Sequence, residues 1–191
     1  MSDGSETATV LVVDDEEQVA DVYALRLRGE YETRTAHGGA AALEAYDGDV
    51  DVVLLDRRMP DVAGDQVLAE LRERDADVRV VMLTAVDPDF DILSMPFDDY
   101  LCKPVEKDDL LAAIDQQVEA RRYDEQLDEY LEVTSKLSLL QAEKTPQELE
   151  GNDEVQALSD RAAELKAEMD EMLGGLEDIE RAFMEIERGP S

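Results

Sequence analysis

The chain has 191 residues, with 50 Asp and Glu against 18 Lys and Arg, for a formal net charge of −32 at pH 7. That length allows one domain of ordinary size plus an appendage, and the charge argues against a nucleic-acid phosphate backbone as partner, since such binding needs cations. No apolar run approaches the ~20 residues of a membrane-spanning helix, and Met1 to Glu6 is polar, so neither membrane insertion nor a signal-peptide core is expected.

The acids are spread through both halves, and only five of the cations are Lys. This reads as a solubilising surface suited to a high-salt cytoplasm, with ordinary mesophilic acidity as the alternative. The single cysteine, Cys102, cannot form an internal disulfide, which fits a reduced, cytoplasmic compartment. Its apolar neighbours predict a small buried core residue, since a nucleophilic role lacks a nearby histidine. The one histidine, His37, lies in a glycine-flanked turn.

Thr9 to Val13 predicts a strand that runs into Asp14-Asp15-Glu16-Glu17, and Val19, Val22, Tyr23, Leu25 and Leu27 continue at helical spacing. Glu16 and Glu17 suit a helix N-terminus. Asp14 and Asp15 close the strand instead and belong to its carboxyl edge. Tyr31 to Ala36 reads as a second strand, Gly38-Gly39 as a turn and Ala40 to Tyr46 as a short helix. The apolar run Val52 to Leu55 suits a strand buried on both faces of a parallel sheet, and Asp56 ends it. Met59-Pro60 fixes the turn beyond.

Val67, Leu68 and Leu71 mark a helix, Val78 to Leu83 a fourth strand ending at Thr84, Phe90 to Met95 a brief helix, and Asp98 to Cys102 a fifth strand leading to Lys103-Pro104. Strands alternating with helices predict an α/β domain with a doubly wound five-stranded parallel sheet.

Four of the five strand ends then bring a chemical group to the edge where such sheets bind ligands. Asp14, Asp15 and Asp56 form a hard oxygen set suited to Mg²⁺. Asp56 can act as a carboxylate nucleophile toward phosphorus, with Lys103 offsetting charge on the transferring oxygens and Thr84 supplying a hydroxyl donor.

The ordered set V-V-D-D, D-x-x-M-P, T-A and K-P strongly resembles the receiver domain of two-component response regulators, a flavodoxin-like fold. The resemblance implies that Asp56 accepts phosphate from a histidine kinase. It implies that Asp15, Asp56 and the main-chain carbonyl of Arg58 hold Mg²⁺, with Asp14 helping through water, and that Thr84 and Tyr100 form a switch pair. Arg58 and Val86 occupy positions that tune the lifetime of the phosphorylated state in that family. Asp98-Asp99-Tyr100 is similar to a subfamily that dimerises through its last strand and flanking helices. Ala113 stands where that subfamily usually has an arginine.

From Val105 the helical pattern continues past a receiver's usual end. Leu110, Leu111, Ile114 and Val118 are followed by Tyr123, Leu127, Tyr130, Thr134 and Leu137. Lys144-Thr145-Pro146 breaks it, and Gly151-Asn152-Asp153 starts another helix. Val155, Leu158, Ala162, Leu165, Met169, Met172, Leu176, Ile179, Phe183 and Ile186 then alternate three- and four-residue steps. This predicts a long helical hairpin or coiled coil, weakened at Gly174-Gly175.

The segment resembles the HalX-type domain that follows receivers in haloarchaea. The expected organisation is a disordered 1–7, a receiver over 8–120 and an output segment over 121–191. Output through a homodimer or a helical partner protein is expected. The rivals are a DNA-binding transcriptional regulator, an aspartyl phosphatase and a constitutive scaffold. Two long acidic helices lack a basic recognition helix, and the connections are too short for a phosphatase's substrate loops.

Overall fold

A computed structural model of the chain describes residues 7–187 apart from 76 and 86–89, with side chains described through 174. The expected disorder of 1–7, all but Thr7, lies outside the described residues, as do the Val86 position and the side chains of Leu176, Ile179, Phe183 and Ile186.

The elements are β1 (Thr9–Val13), α1 (Glu17–Leu27), β2 (Glu32–Ala36), α2 (Gly39–Ala45), β3 (Val52–Asp56), α3 (Gly64–Arg74), β4 (Arg79–Thr84), a 3-10 turn (Phe90–Ser94), β5 (Asp99–Cys102), α4 (Lys107–Glu143), α5 (Pro146–Leu149) and α6 (Asp153–Glu187). All strand pairs are parallel, in the order β2-β1-β3-β4-β5.

Strand periodicity explains the two-layer core. Leu11, Val13, Val53, Leu55, Val80 and Met82 face one side, with Ala42 of α2 and Val67, Leu68 and Leu71 of α3. Their neighbours Val10, Val12, Val52, Leu54, Val81 and Leu83 face the other, with Ala20, Tyr23 and Leu27 of α1 and Leu110 and Ile114 of α4. Apolar residues on both faces are what continuous hydrophobic strands predict. Because β1 lies between β2 and β3, the connections leave β1 and β3 in opposite directions. Their carboxyl ends flank the crevice of a topological switch point.

Cys102 departs from its expected burial. It is exposed, because it ends β5 at the sheet edge, where the other strands' two-sided cover is absent. Asp98, just before β5, has an intramolecular role: its carboxylate accepts from Arg72 at 2.6 Å, Arg79 at 3.0 Å and the Val80 N–H at 2.7 Å.

The chain divides into two compact units, 1–121 and 122–191. In the second unit, Arg161 makes a two-point contact with Glu129 at 2.8 and 2.7 Å, and Gln126 donates to Glu168 at 2.6 Å. Residues rising along α4 thus meet residues falling along α6, so the helices form an antiparallel hairpin within one chain. Val133, Leu165 and Met169 are buried there. At the tip Thr145 and Glu148 form a capping box for α5, and the Asn152 side chain caps α6 through the Glu154 N–H at 3.0 Å. α6 runs on through Gly174, where the sequence predicted weakening.

Candidate functional site

Asp14 lies one residue beyond β1, Asp56 ends β3, Thr84 ends β4 and Lys103 follows β5. Asp14, Asp56 and Thr84 are 2%, 6% and 1% exposed, whereas Asp15 faces solvent. The Lys103 ammonium joins two of them, donating to Asp14 Oδ2 at 2.6 Å and to Asp56 Oδ1 at 2.7 Å. Its backbone N–H donates to the Thr84 carbonyl at 2.6 Å, which ties the β4 and β5 ends together. The Lys103–Pro104 peptide is cis. Asp14 Oδ1 accepts from the Glu16 N–H at 2.9 Å, so a local turn orients that carboxylate.

Electrostatics here are a balance of opposing effects. Burial pushes the Asp56 pKa above the ordinary carboxylate value; Lys103 pulls it down, and the charges of Asp14 and Asp15 push it up again. Burial alone would lower the Lys103 pKa, but its hydrogen bonds to Asp14 and Asp56, with their charges, outweigh that and raise it.

Carboxylate oxygens of Asp14, Asp15 and Asp56 lie within 4.8 Å of one another. With all three ionised and Lys103 protonated, the cluster carries two net negative charges. An all-oxygen set with that charge fits a hard divalent cation such as Mg²⁺.

Asp14, Asp15, Asp56 and Lys103 thus meet at one edge, and Thr84 is tied to Lys103 through its carbonyl. Arg58 has an exposed side chain in the turn after β3. Tyr100 is half-buried on β5, its ring centroid 5.5 Å from that of Phe97.

Two features escaped sequence reasoning. Gly64 admits a close backbone approach, since an added Cβ would lie 2.3 Å from the Asp56 carbonyl oxygen. Arg57 contacts both Asp65 and Asp91. Only contacts across three separate elements reveal Arg57; the glycine after the Met59-Pro60 turn was a visible signal.

Comparison with known proteins agrees with this geometry. Residues 10–115 match the response regulator receiver domain and 119–184 match the HalX domain. A Haloferax volcanii protein provisionally named a transcriptional regulator is 45% identical over 159 residues, covering 83% of this chain and 27% of that one. Transcriptional regulatory protein CutR of Streptomyces coelicolor is 43% identical over 110 residues, 55% of this chain and 51% of that one. The chain therefore spans only about a quarter to a half of these relatives.

Among solved structures, Thermotoga maritima response regulator TrrA, in complex with Mg(2+)-BeF, is 31% identical with a TM-score of 0.53, over 58% of this chain and 98% of that one. A receiver domain from Methanospirillum hungatei has a TM-score of 0.58 at 23% identity over 62% of this chain and 98% of that one, a likeness of fold alone. No helix among the described residues is long and apolar enough to cross a membrane. Five parallel strands with an acidic triad at the switch point, and family matches over both parts, place the chain among the response regulators, as a receiver domain followed by a HalX domain.

Proposed function

We propose that this protein is a cytoplasmic phosphoacceptor switch of a two-component relay, in which Asp56 takes a phosphoryl group from a histidine kinase. The observation that carries this reading is the Lys103 ammonium bridging two buried carboxylates beside a third. An oxygen of Asp56 forms the new bond to phosphorus while the phosphorus–nitrogen bond of the donor's phosphohistidine breaks and the imidazole leaves. Lys103 sits where it can hold one phosphoryl oxygen, offsetting negative charge as the transfer proceeds. Asp14, Asp15, Asp56 and the Arg58 main-chain carbonyl would hold Mg²⁺, which when bound neutralises charge on the phosphoryl oxygens.

Thr84 then donates its hydroxyl to the product phosphoryl group, and Tyr100 turns inward in response. The α4–α6 hairpin serves as output, by dimerisation or by binding a helical partner. The relatives' names favour transcriptional control as a second reading. Residues 122–191 carry 20 acids and seven bases, which disfavours direct contact of this segment with DNA.

The test is intact-mass and light-scattering analysis in high salt, with Mg²⁺, before and after acetyl phosphate. One hydroxylamine-labile phosphate, lost in Asp56→Asn and in chelator, is expected. Label that persists in Asp56→Asn removes Asp56 as acceptor. A wild-type chain that takes no phosphate from this donor or from a kinase leaves a constitutive scaffold.

A further inference from the structure

Arg57 directly follows the acceptor carboxylate, and its backbone is fixed on both sides. Its N–H donates to the Leu83 carbonyl at 2.9 Å, and its carbonyl accepts from the Gly64 N–H at 3.0 Å. The side chain is only 16% exposed yet reaches three elements. Nε donates to Asp65 Oδ1 at 3.2 Å in the first turn of α3, and Nη2 donates to Asp91 Oδ2 in the 3-10 turn. Tyr100 on β5 is a further partner that favours the charged guanidinium and raises its pKa. A guanidinium offers its donors in a rigid planar fork, so movement of one acceptor disturbs its geometry toward the others.

We propose that Arg57 is a positioning residue that latches the 3-10 turn Phe90–Ser94 and the Tyr100 ring in the resting arrangement, and that phosphorylation of Asp56 releases this latch. The inference rests on Asp56 being the acceptor. A phosphoryl group places added negative charge and strong acceptor oxygens one residue from the guanidinium. Asp91 and Tyr100 then compete with it for the same donors. An inward turn of Tyr100 also removes one acceptor from the fork. The turn carries Phe90 and Leu93, 85% and 81% exposed, so release repositions two large exposed apolar side chains.

The experiment is hydrogen exchange of the amides of residues 90–102 in the full chain. It compares wild type, Arg57→Gln, Asp91→Asn and the double variant, each before and after acetyl phosphate with Mg²⁺, with phosphate scored by intact mass. Each single variant should raise resting exchange up to about fivefold. The double should not exceed Arg57→Gln by more than a small factor, because the Asp91 contact is already lost in that variant. Phosphorylated wild type should approach the single variants, and Arg57→Lys, which keeps the charge without the fork, should fall between.

Resting exchange unchanged in both single variants, or effects that multiply in the double, overturns the latch. Wild type that gains phosphate with exchange unchanged overturns its release. Wild type that gains no phosphate from acetyl phosphate or from a kinase overturns the acceptor reading and the release with it, while the resting comparison still decides the latch.

Discussion

Replacing Lys103 with Met keeps the aliphatic stem and removes an ammonium lying 2.6 Å from Asp14 and 2.7 Å from Asp56. At an effective dielectric of about 20, each contact amounts to about 6 kcal/mol of Coulomb attraction before desolvation is subtracted. The net loss is smaller because a proton can substitute for the cation. With two buried carboxylates left facing each other, one takes up a proton instead of staying ionised.

Protonating a carboxyl of ordinary pKa, about 3.9, costs about 4 kcal/mol at pH 7 and about 1.5 kcal/mol at pH 5. Those figures are ceilings, since burial already raises the Asp56 pKa in the wild type. The variant should therefore lose about 3 kcal/mol at pH 7 without metal, near the range for breaking a buried ion pair.

The sign of the pH dependence follows from linkage. In the variant a carboxyl has a folded pKa above its unfolded value. Its stability is complete below the unfolded pKa and falls as pH rises through the folded one. In the wild type Lys103 has a raised pKa, so its contribution is complete below the ordinary lysine range and is lost only above it. Asp56 is raised in the wild type too, but Lys103 lowers it there and is gone in the variant, so between pH 5 and 8 the deficit of the variant should widen with pH. Native-state exchange of the β3 amides in chelator, at pH 5, 6, 7 and 8, isolates this unit from the hairpin. A deficit that is flat with pH, or that widens as pH falls, refutes the proton-for-ammonium argument. Added Mg²⁺ should narrow it by supplying the missing positive charge.

Gly64→Ala drives a Cβ to 2.3 Å from the Asp56 carbonyl oxygen and 2.8 Å from the Arg57 Cα. Backbone at the end of β3 cannot yield cheaply, so about 1–3 kcal/mol of stability should go, together with phosphate uptake. A variant matching wild type in melting and in mass shift would contradict this. Leu165→Glu puts a carboxylate at a position with 0% exposure, at a cost of about 3 kcal/mol or more. Helical ellipticity should fall while phosphate uptake stays, and undiminished helicity would remove Leu165 from the hairpin interior. Gly174→Ala meets nothing within 4 Å and should stabilise α6 by about 1 kcal/mol, read as a higher hairpin melting temperature. A lower one shows that Gly174 is needed for packing.

The site was legible because each of its groups ends an apolar strand in the sequence. Asp14, Asp56, Thr84 and Lys103 needed only the rule that parallel strands present their carboxyl ends at one edge. Cys102 was misread for the complementary reason. Tyr100-Leu101-Cys102 is as apolar as a central strand, and only the order β2-β1-β3-β4-β5 shows that it ends an edge strand. The Arg57 contacts and the Asp98 clamp depend on where the 3-10 turn and the α3 terminus fall, which no periodicity encodes. In the hairpin, Tyr123, Leu127, Tyr130, Thr134 and Leu137 are all at least partly covered, but buried Val133 was not among the expected seam. A seam drawn at four- and three-residue steps is narrower than the face a helix buries.

That burial also constrains assembly. A heptad pattern leaves open whether its seam closes within one chain or between chains, and only the partner helix decides. Here Glu129 with Arg161 and Gln126 with Glu168 pair the arms within one chain, and Val133, Leu165 and Met169 are already buried. Opening the hairpin to give those side chains to a second copy would return them to water first, which favours exchange of arms only at high protein concentration. Association of closed hairpins must instead use outward residues. Leu131, Leu139 and Leu173 are 52%, 66% and 41% exposed among the described residues, the apolar groups left off the seam. On helices this acidic, a partner that covers them must also tolerate or neutralise the surrounding carboxylates. Molar salt screens that repulsion within about 3 Å, so association of closed hairpins should strengthen with ionic strength, the opposite of a contact made by charge attraction.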